Sequence, residues 1–181
     1  GELLDAGVHF GHQASRWNPK MFPYIYAEQN GIHVIDLVQT SRLLTYAHNY
    51  VQKNAQENKT FLFVGTKRQA TNIIAEEAKK CGAAYVNHRW LGGMLTNWGT
   101  ISKSIKKLKN LEDRIESGEI NNLTKKERLN IERQKEKLDL TLGGIKNMNG
   151  IPDAIFVIDT NKEAIAVQEA NNLNIPVFAI C

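Results

Sequence analysis

Four groups of residues carry side chains with chemical potential. Gly65-Thr66-Lys67-Arg68 follows an apolar run and precedes a helical one, and the N–H groups of a helix start favour anions. A complete phosphate loop needs a further upstream glycine and a Gly-Lys-Ser/Thr run, which Phe61-Leu62-Phe63-Val64 and the turn do not supply. Lys67 and Arg68 are therefore better suited to RNA phosphate than to a bound nucleotide. His9 and His12 flank Phe10-Gly11 at a spacing zinc can use, but no cysteine lies near and a structural zinc wants four ligands. These two, like His33, His48 and His88, read as ordinary hydrogen-bonded histidines, so no metal and no other cofactor is expected. Asp36 and Asp159 end apolar runs, where active sites of parallel sheets collect. With no nucleophile, paired base or glycine-rich loop beside them, they are expected to cap turns. Cys81 ends a helical stretch, where the macrodipole disfavours a thiolate, so it reads as a packing residue. Nothing here assembles a catalytic centre, and an enzyme is not expected.

The remaining chemistry is cationic. Two aperiodic stretches, Val8 to Met21 and Asn87 to Trp98, mix glycine, aromatics and bases, a composition suited to stacking and phosphate contact. Arg16, Lys20 and Arg89 lie in them and read as contact residues. Trp17, Trp90 and Trp98 serve equally well as pins that hold the loops to a core. Between Trp98 and Gly150 the sequence holds twelve Lys/Arg against eight Asp/Glu, whereas the remainder holds eleven of each. The formal net charge of +4 therefore sits in one segment, and excess positive charge attracts polyanions, nucleic acid first.

Those residues need a scaffold. Gly31 to Asp36, Phe61 to Val64, Ala83 to Val86, Ala154 to Ile158 and Pro176 to Ile180 are apolar runs with strand character. Helical spacing intervenes. It places Leu43, Leu44, Ala47, Tyr50 and Val51 on the inner face of a helix from about Thr40 to Asn54. Ala70, Ile73, Ile74 and Ala78 mark a second helix closed by Cys81-Gly82, and Ala164, Val167 and Ala170 a third, with Thr160 as its cap. Alternating buried strands and helices predict an α/β, three-layer, doubly wound parallel sheet of about five strands. Strand order is not legible.

One interval breaks the rhythm. From Trp98 to Gly150 no strand signal occurs; Ile101, Leu108 and Ile115 recur every seven residues, and so do Ile131, Leu138 and Ile145. Ser117 to Asn122 is turn chemistry, and Thr124-Lys125-Lys126-Glu127 matches a capping box. An antiparallel helical hairpin is expected at 98–149, inserted in a globular domain formed by 1–97 and 150–181. Its bases Lys103, Lys106, Lys107, Lys125, Lys126, Arg128 and Arg133 join Arg16, Lys20, Lys67, Arg68 and Arg89 as candidate RNA contacts. Gly143-Gly144 and Asn149-Gly150 offer pliable backbone where the chain re-enters the sheet.

At 181 residues with 42% apolar and 23% charged side chains, the chain can bury a sizeable core and does not read as disordered. No run approaches the ~20 apolar residues that span a bilayer, and the acids near Gly1 do not suit a signal peptide. Two cysteines imply no disulfide framework. The chain starts at Gly1 and stops inside a strand-like run, so further sequence on both sides is expected.

Six motifs in chain order carry a family resemblance: Gly7-Val8-His9-Phe10-Gly11-His12 with Trp17-Asn18-Pro19-Lys20-Met21; Gly31 to Leu37; Phe63 to Ala70; His88-Arg89-Trp90-Leu91-Gly92-Gly93-Met94-Leu95-Thr96-Asn97; Pro152 to Asp159; and Asn174 to Val177. In these the sequence closely resembles the universal family of small-subunit ribosomal protein number two. The resemblance implies a flavodoxin-like sheet with a helical hairpin after the third strand. It implies binding to small-subunit ribosomal RNA between head and body, and help in holding the largest small-subunit protein, number one. It implies no catalytic residues, no membrane partner and no homo-oligomer. A long hairpin marks bacterial or organellar members, and the family continues beyond Cys181 with a further turn and helix. Eighteen Asn, and sixteen Lys against seven Arg, suit an AT-rich genome, so the expected place is a ribosome in the plastid stroma, alternatively in bacterial cytoplasm. Two rivals stay open: a flavodoxin-like nucleotide-binding protein using the Gly65 turn, and a pure protein-interaction module.

Overall fold

A computed structural model describes residues 1–181, which form two compact units, Gly1–Glu57 and Asn58–Cys181.

The first unit opens with a single helical turn, α1 (Glu2–Asp5), followed by β1 (Phe10–Gln13), β2 (Ile25–Gln29), β3 (Ile32–Ile35) and α2 (Leu37–Gln56). The three strands make an antiparallel sheet in the order β1-β3-β2. Asn30 and Gly31, at φ of 53° and 74°, form the two-residue turn joining β2 to β3. Both central positions need φ > 0, which Asn-Gly adopts readily. This corrects one expectation. The apolar run at Gly31 to Asp36 does not join the parallel sheet; the tight turn commits it to a hairpin.

Asp36 caps α2, its Oδ1 accepting from the Val38 and Gln39 N–H groups at 2.9 and 3.4 Å. The Gln39 amide, donating to Oδ2, is the main reason its carboxyl sits below the usual range. Local capping thus starts the helix, while the expected inner stripe is only partly covered: Leu43 and Leu44 are exposed, and Ala47, Tyr50 and Val51 half-buried.

The second unit is an α/β sandwich. Strands β4 (Phe61–Val64), β5 (Ala84–Val86), β6 (Ala154–Ile158) and β7 (Val177–Ile180) form a parallel sheet in the order β5-β4-β6-β7. The crossovers are α3 (Thr71–Lys80) and α6 (Ala164–Asn172), while α4 (Trp98–Glu116) and α5 (Lys125–Leu142) lie between β5 and β6. The sheet therefore has four strands, flanked by helices in the flavodoxin-like manner, with the antiparallel sheet separate. The chain winds outward in opposite directions from β4 and β6, which places a topological switch point between their carboxyl ends.

The core of this unit joins Leu62, Val64, Ile155 and Val157 of the sheet to Ala166 and Ala170 of α6. Ile101, Ile105 and Leu108 of α4 belong to the same core, together with Leu142, Ile145, Trp90 and Met94. The first half of α4 is thus a core element, clustered there with Leu142 at the end of α5. The hairpin turn follows its sequence signals. Gly118 adopts φ 73°, and the Thr124–Glu127 capping box is complete. Ile145 lies not on α5 but in a following 3-10 turn, Gly143–Ile145, where it is buried.

Gly144 there is fixed by crowding rather than pliability: a Cβ would stand 2.1 Å from the Tyr85 carbonyl oxygen. Only a glycine lets the returning chain pack this close to β5. Two smaller expectations also change. Thr160 does not cap α6, which starts at Ala164 with Glu163 before it. Cys81 is exposed rather than packed, because the helix ends in a surface turn where its Sγ meets the Ala78 carbonyl.

Candidate nucleic-acid interface

Most of the candidate residues lie in loops at the carboxyl ends of the parallel strands and on the helices α4 and α5. Gly65 leaves β4 and leads into the Thr66-Lys67-Arg68 turn ahead of α3. Two of the turn's three side chains, Thr66 and Lys67, are engaged internally. Thr66 donates from both its N–H and its hydroxyl to Glu163 Oε1. Lys67 Nζ donates to Asp159 Oδ2 at 3.0 Å. That hydrogen bond is the main reason the Asp159 carboxyl lies below its usual range. Asp159, held at φ 70°, also accepts from the Lys162 N–H at 3.2 Å. Asp159 is thus a turn-organising residue, as expected of it, and the switch point is spanned by side chains of the protein itself.

The His88–Trp98 loop is held from beneath. Glu169, at 6% exposure, receives five donors. Trp90 Nε1 and the Gly93 N–H reach Oε1 at 3.1 and 2.7 Å. The Leu95 N–H, Thr96 N–H and Thr96 hydroxyl reach Oε2 at 2.9, 3.1 and 3.1 Å. Burial pushes the Glu169 carboxyl up, but the bonds from Thr96, Trp90, Leu95 and Gly93 outweigh it and hold the group below its ordinary range. Trp90 is accordingly a buried pin, Trp98 packs against the core, and Trp17 meets His33 edge-on at 4.8 Å. Two buried acids of one segment, Glu163 and Glu169, therefore shape both basic loops. Sequence reasoning missed both. The inner face of α6 is Ala166, Glu169 and Ala170 rather than Ala164, which is exposed.

The cations picked out from sequence fall into three places. Arg16 and Lys20 lie in the first unit, Arg16 after β1 and Lys20 in a 3-10 turn at Pro19–Tyr24. Lys67, Arg68 and Arg89 lie beyond the carboxyl ends of β4 and β5. Lys103, Lys106 and Lys107 are on α4, and Lys125, Lys126, Arg128 and Arg133 on α5. All are exposed except Arg128, which is half-buried. The hairpin's ion pairs use other bases: Arg114 with Glu119 at 3.1 Å, Lys135 with Asp139 at 3.7 Å and Lys146 with Glu112 at 3.0 Å. The hydrogen bond to Glu112 also raises the Lys146 ammonium above its usual range. Of the twelve selected cations, Lys67 alone sits in an ion pair. The histidines assemble no metal centre: no group of three or more His, Cys, Asp or Glu is placed to hold an ion. No helix is long and apolar enough to cross a membrane.

Comparison with known proteins matches the chain's sequence to one family. A family model described as ribosomal protein S2 matches residues 3–181. The small ribosomal subunit protein uS2c of Emiliania huxleyi is 61% identical over 180 residues, covering 99% of this chain and 79% of that protein. The uS2c of Guillardia theta is 59% identical over 179 residues, covering 99% and 76%. The bacterial uS2 of Bradyrhizobium diazoefficiens is 58% identical over 179 residues, covering 99% and 54%.

Proposed function

Because the chain belongs to the ribosomal protein S2 family, a family of structural components of the small ribosomal subunit rather than enzymes, we propose that it binds small-subunit ribosomal RNA by neutralising phosphates and helps to dock neighbouring ribosomal proteins, the largest among them. The relatives are of plastid and bacterial type, which places the chain in the ribosome of a plastid or of bacterial cytoplasm. The observation that carries the RNA-binding reading is the set of exposed bases without acidic partners on the hairpin and the strand-end loops. A cation already paired must give up its partner before meeting a phosphate, whereas an unpaired one only releases the phosphate's counterions. In this reading the sheet supplies a rigid platform, and 98–149 serves as an inserted arm that supplies reach. Arg16, Lys20, Arg68, Arg89 and the seven hairpin bases bear on RNA directly, and Lys67 does so after exchanging Asp159 for phosphate.

The test is sedimentation of the full chain with small subunits over a salt series. The chain is expected to co-sediment at low salt and to be released as salt rises, with RNA crosslinks at Arg68, Arg89 and the hairpin bases. Crosslinks to protein alone, with release insensitive to salt, would favour the pure protein-interaction module instead.

A further inference from the structure

Two open clefts of about 380 Å³ each lie in the second unit, and their linings differ in sign. One is bordered by Glu76, Lys79 and Asp139, so its carboxylates oppose an anion. The other lies at the switch point and is bordered by Thr66, His88, Arg89, Lys162, Glu163 and the first turn of α6. From this second cleft we infer a seat for a single phosphate group, gripped by Arg89 and Lys162. The inference rests on the RNA-binding reading and locates one contact within it.

Four observations support the seat. Arg89 and Lys162 are both exposed, and neither has an acidic partner among the ion pairs of the structure. They border the cleft from different elements, the loop after β5 and the turn before α6. Ile165 and Ala166, in the first turn of α6, line the same cleft. The one carboxylate in the wall, Glu163, is 3% exposed and spent on Thr66. The neighbouring Asp159 charge is balanced by Lys67. Arg89 supplies a planar fork suited to two phosphate oxygens, and Lys162 a point charge. Sequence reading offered Lys67 and Arg68 of the Gly65 turn together with Arg89 of this loop; Glu163 and Asp159 engage Thr66 and Lys67, whereas Arg89 borders the cleft without an acidic partner.

The phosphate can belong to the RNA backbone or to a free anion, and the experiment separates the two. The full chain is compared with Arg89→Ala, Lys162→Ala and, as a control outside the seat, Lys53→Ala. Binding to small-subunit ribosomal RNA is measured across a salt series, with melting temperature recorded for each variant. Each seat variant is expected to melt like the parent and to lower the salt slope by about 0.7 to 0.9. Over one decade of salt that is a loss of roughly five- to eightfold in affinity, while Lys53→Ala changes nothing. RNA is also expected to protect Lys162 from amine acetylation in the parent. Titration of inorganic phosphate and adenosine monophosphate forms the second arm. Binding of either that is lost in Arg89→Ala assigns the seat to a free anion, and silence there with the RNA effects present assigns it to the backbone. Parent-like RNA binding by both seat variants, with Lys162 still acetylated in the complex and no phosphate titration, overturns the seat while leaving the general RNA-binding reading intact. A parent chain that ignores ribosomal RNA removes that reading instead, and the seat then stands or falls on the phosphate arm.

Discussion

Glu169 gathers five donors on two carboxylate oxygens beneath the His88–Trp98 loop. Removing it leaves the Trp90 indole and the Leu95 N–H buried without partners and the Gly93 and Thr96 N–H groups partly so, and each buried orphan costs about 1–3 kcal/mol. Glu169→Ala is expected to destabilise the fold by about 3–5 kcal/mol in chemical denaturation, and Glu169→Gln, which retains one acceptor oxygen, by about 1–3 kcal/mol. The pH dependence has a definite sign. The folded state holds this carboxyl below its ordinary value of 4.5, so its contribution is full above that pH and is lost as pH falls through the folded value. The stability gap between the parent and Glu169→Gln should therefore shrink on acidification from about pH 6 to about pH 3. A constant gap would mean that the charge does not organise the loop. Glu169 was hard to see in the sequence because a glutamate on a short helix normally faces water. Its spacing from Ala166 and Ala170, three residues and one, puts it on their stripe. That was the available signal, and reading Ala164 rather than Ala166 as part of the inner face hid it.

At the scale of elements, local signals and long-range ones fared differently. The hairpin was legible because heptad spacing, a glycine turn and a capping box all act within a few residues. The capping box should matter accordingly: Thr124→Ala is expected to cost about 1 kcal/mol of stability, read by thermal or chemical unfolding. The placement of β3 was not legible from its apolar run, since buried strands of either sheet type look alike. The Asn30-Gly31 pair was the informative feature, being turn chemistry that joins neighbours in an antiparallel hairpin. The role of Gly144 was legible only in part. Glycine signalled something unusual at the hairpin's return, and the close Tyr85 carbonyl supplies the reason. Gly144→Ala is expected to destabilise by about 1–3 kcal/mol through overpacking, whereas Gly150→Ala, with open space around it, should change stability by less than about 0.5 kcal/mol. Equal effects at the two positions would show that flexibility rather than contact selects glycine here.

For the molecule as a whole, the distribution of charge organises the account. The excess of +4 resides in one inserted segment, and the ion pairs of the hairpin leave most of its outward bases free. This was readable from sequence as a count. Which bases are free was not, because pairing depends on side chains brought together across a turn. The switch point shows the same limit: Thr66 and Lys67 of the Gly65 turn are engaged by Glu163 and Asp159, nearly a hundred residues later. The central claim is that this protein meets RNA mainly through phosphate neutralisation, and the most direct measurement is the affinity of the full chain for small-subunit ribosomal RNA as salt is raised. The account predicts a straight fall of log affinity with log salt, with a slope steeper than about −3, that flattens when Lys103, Lys106, Lys125 and Lys126 are replaced together by glutamine. An affinity that hardly changes between about 0.05 and 0.5 M salt, or a slope untouched by the quadruple replacement, would contradict it.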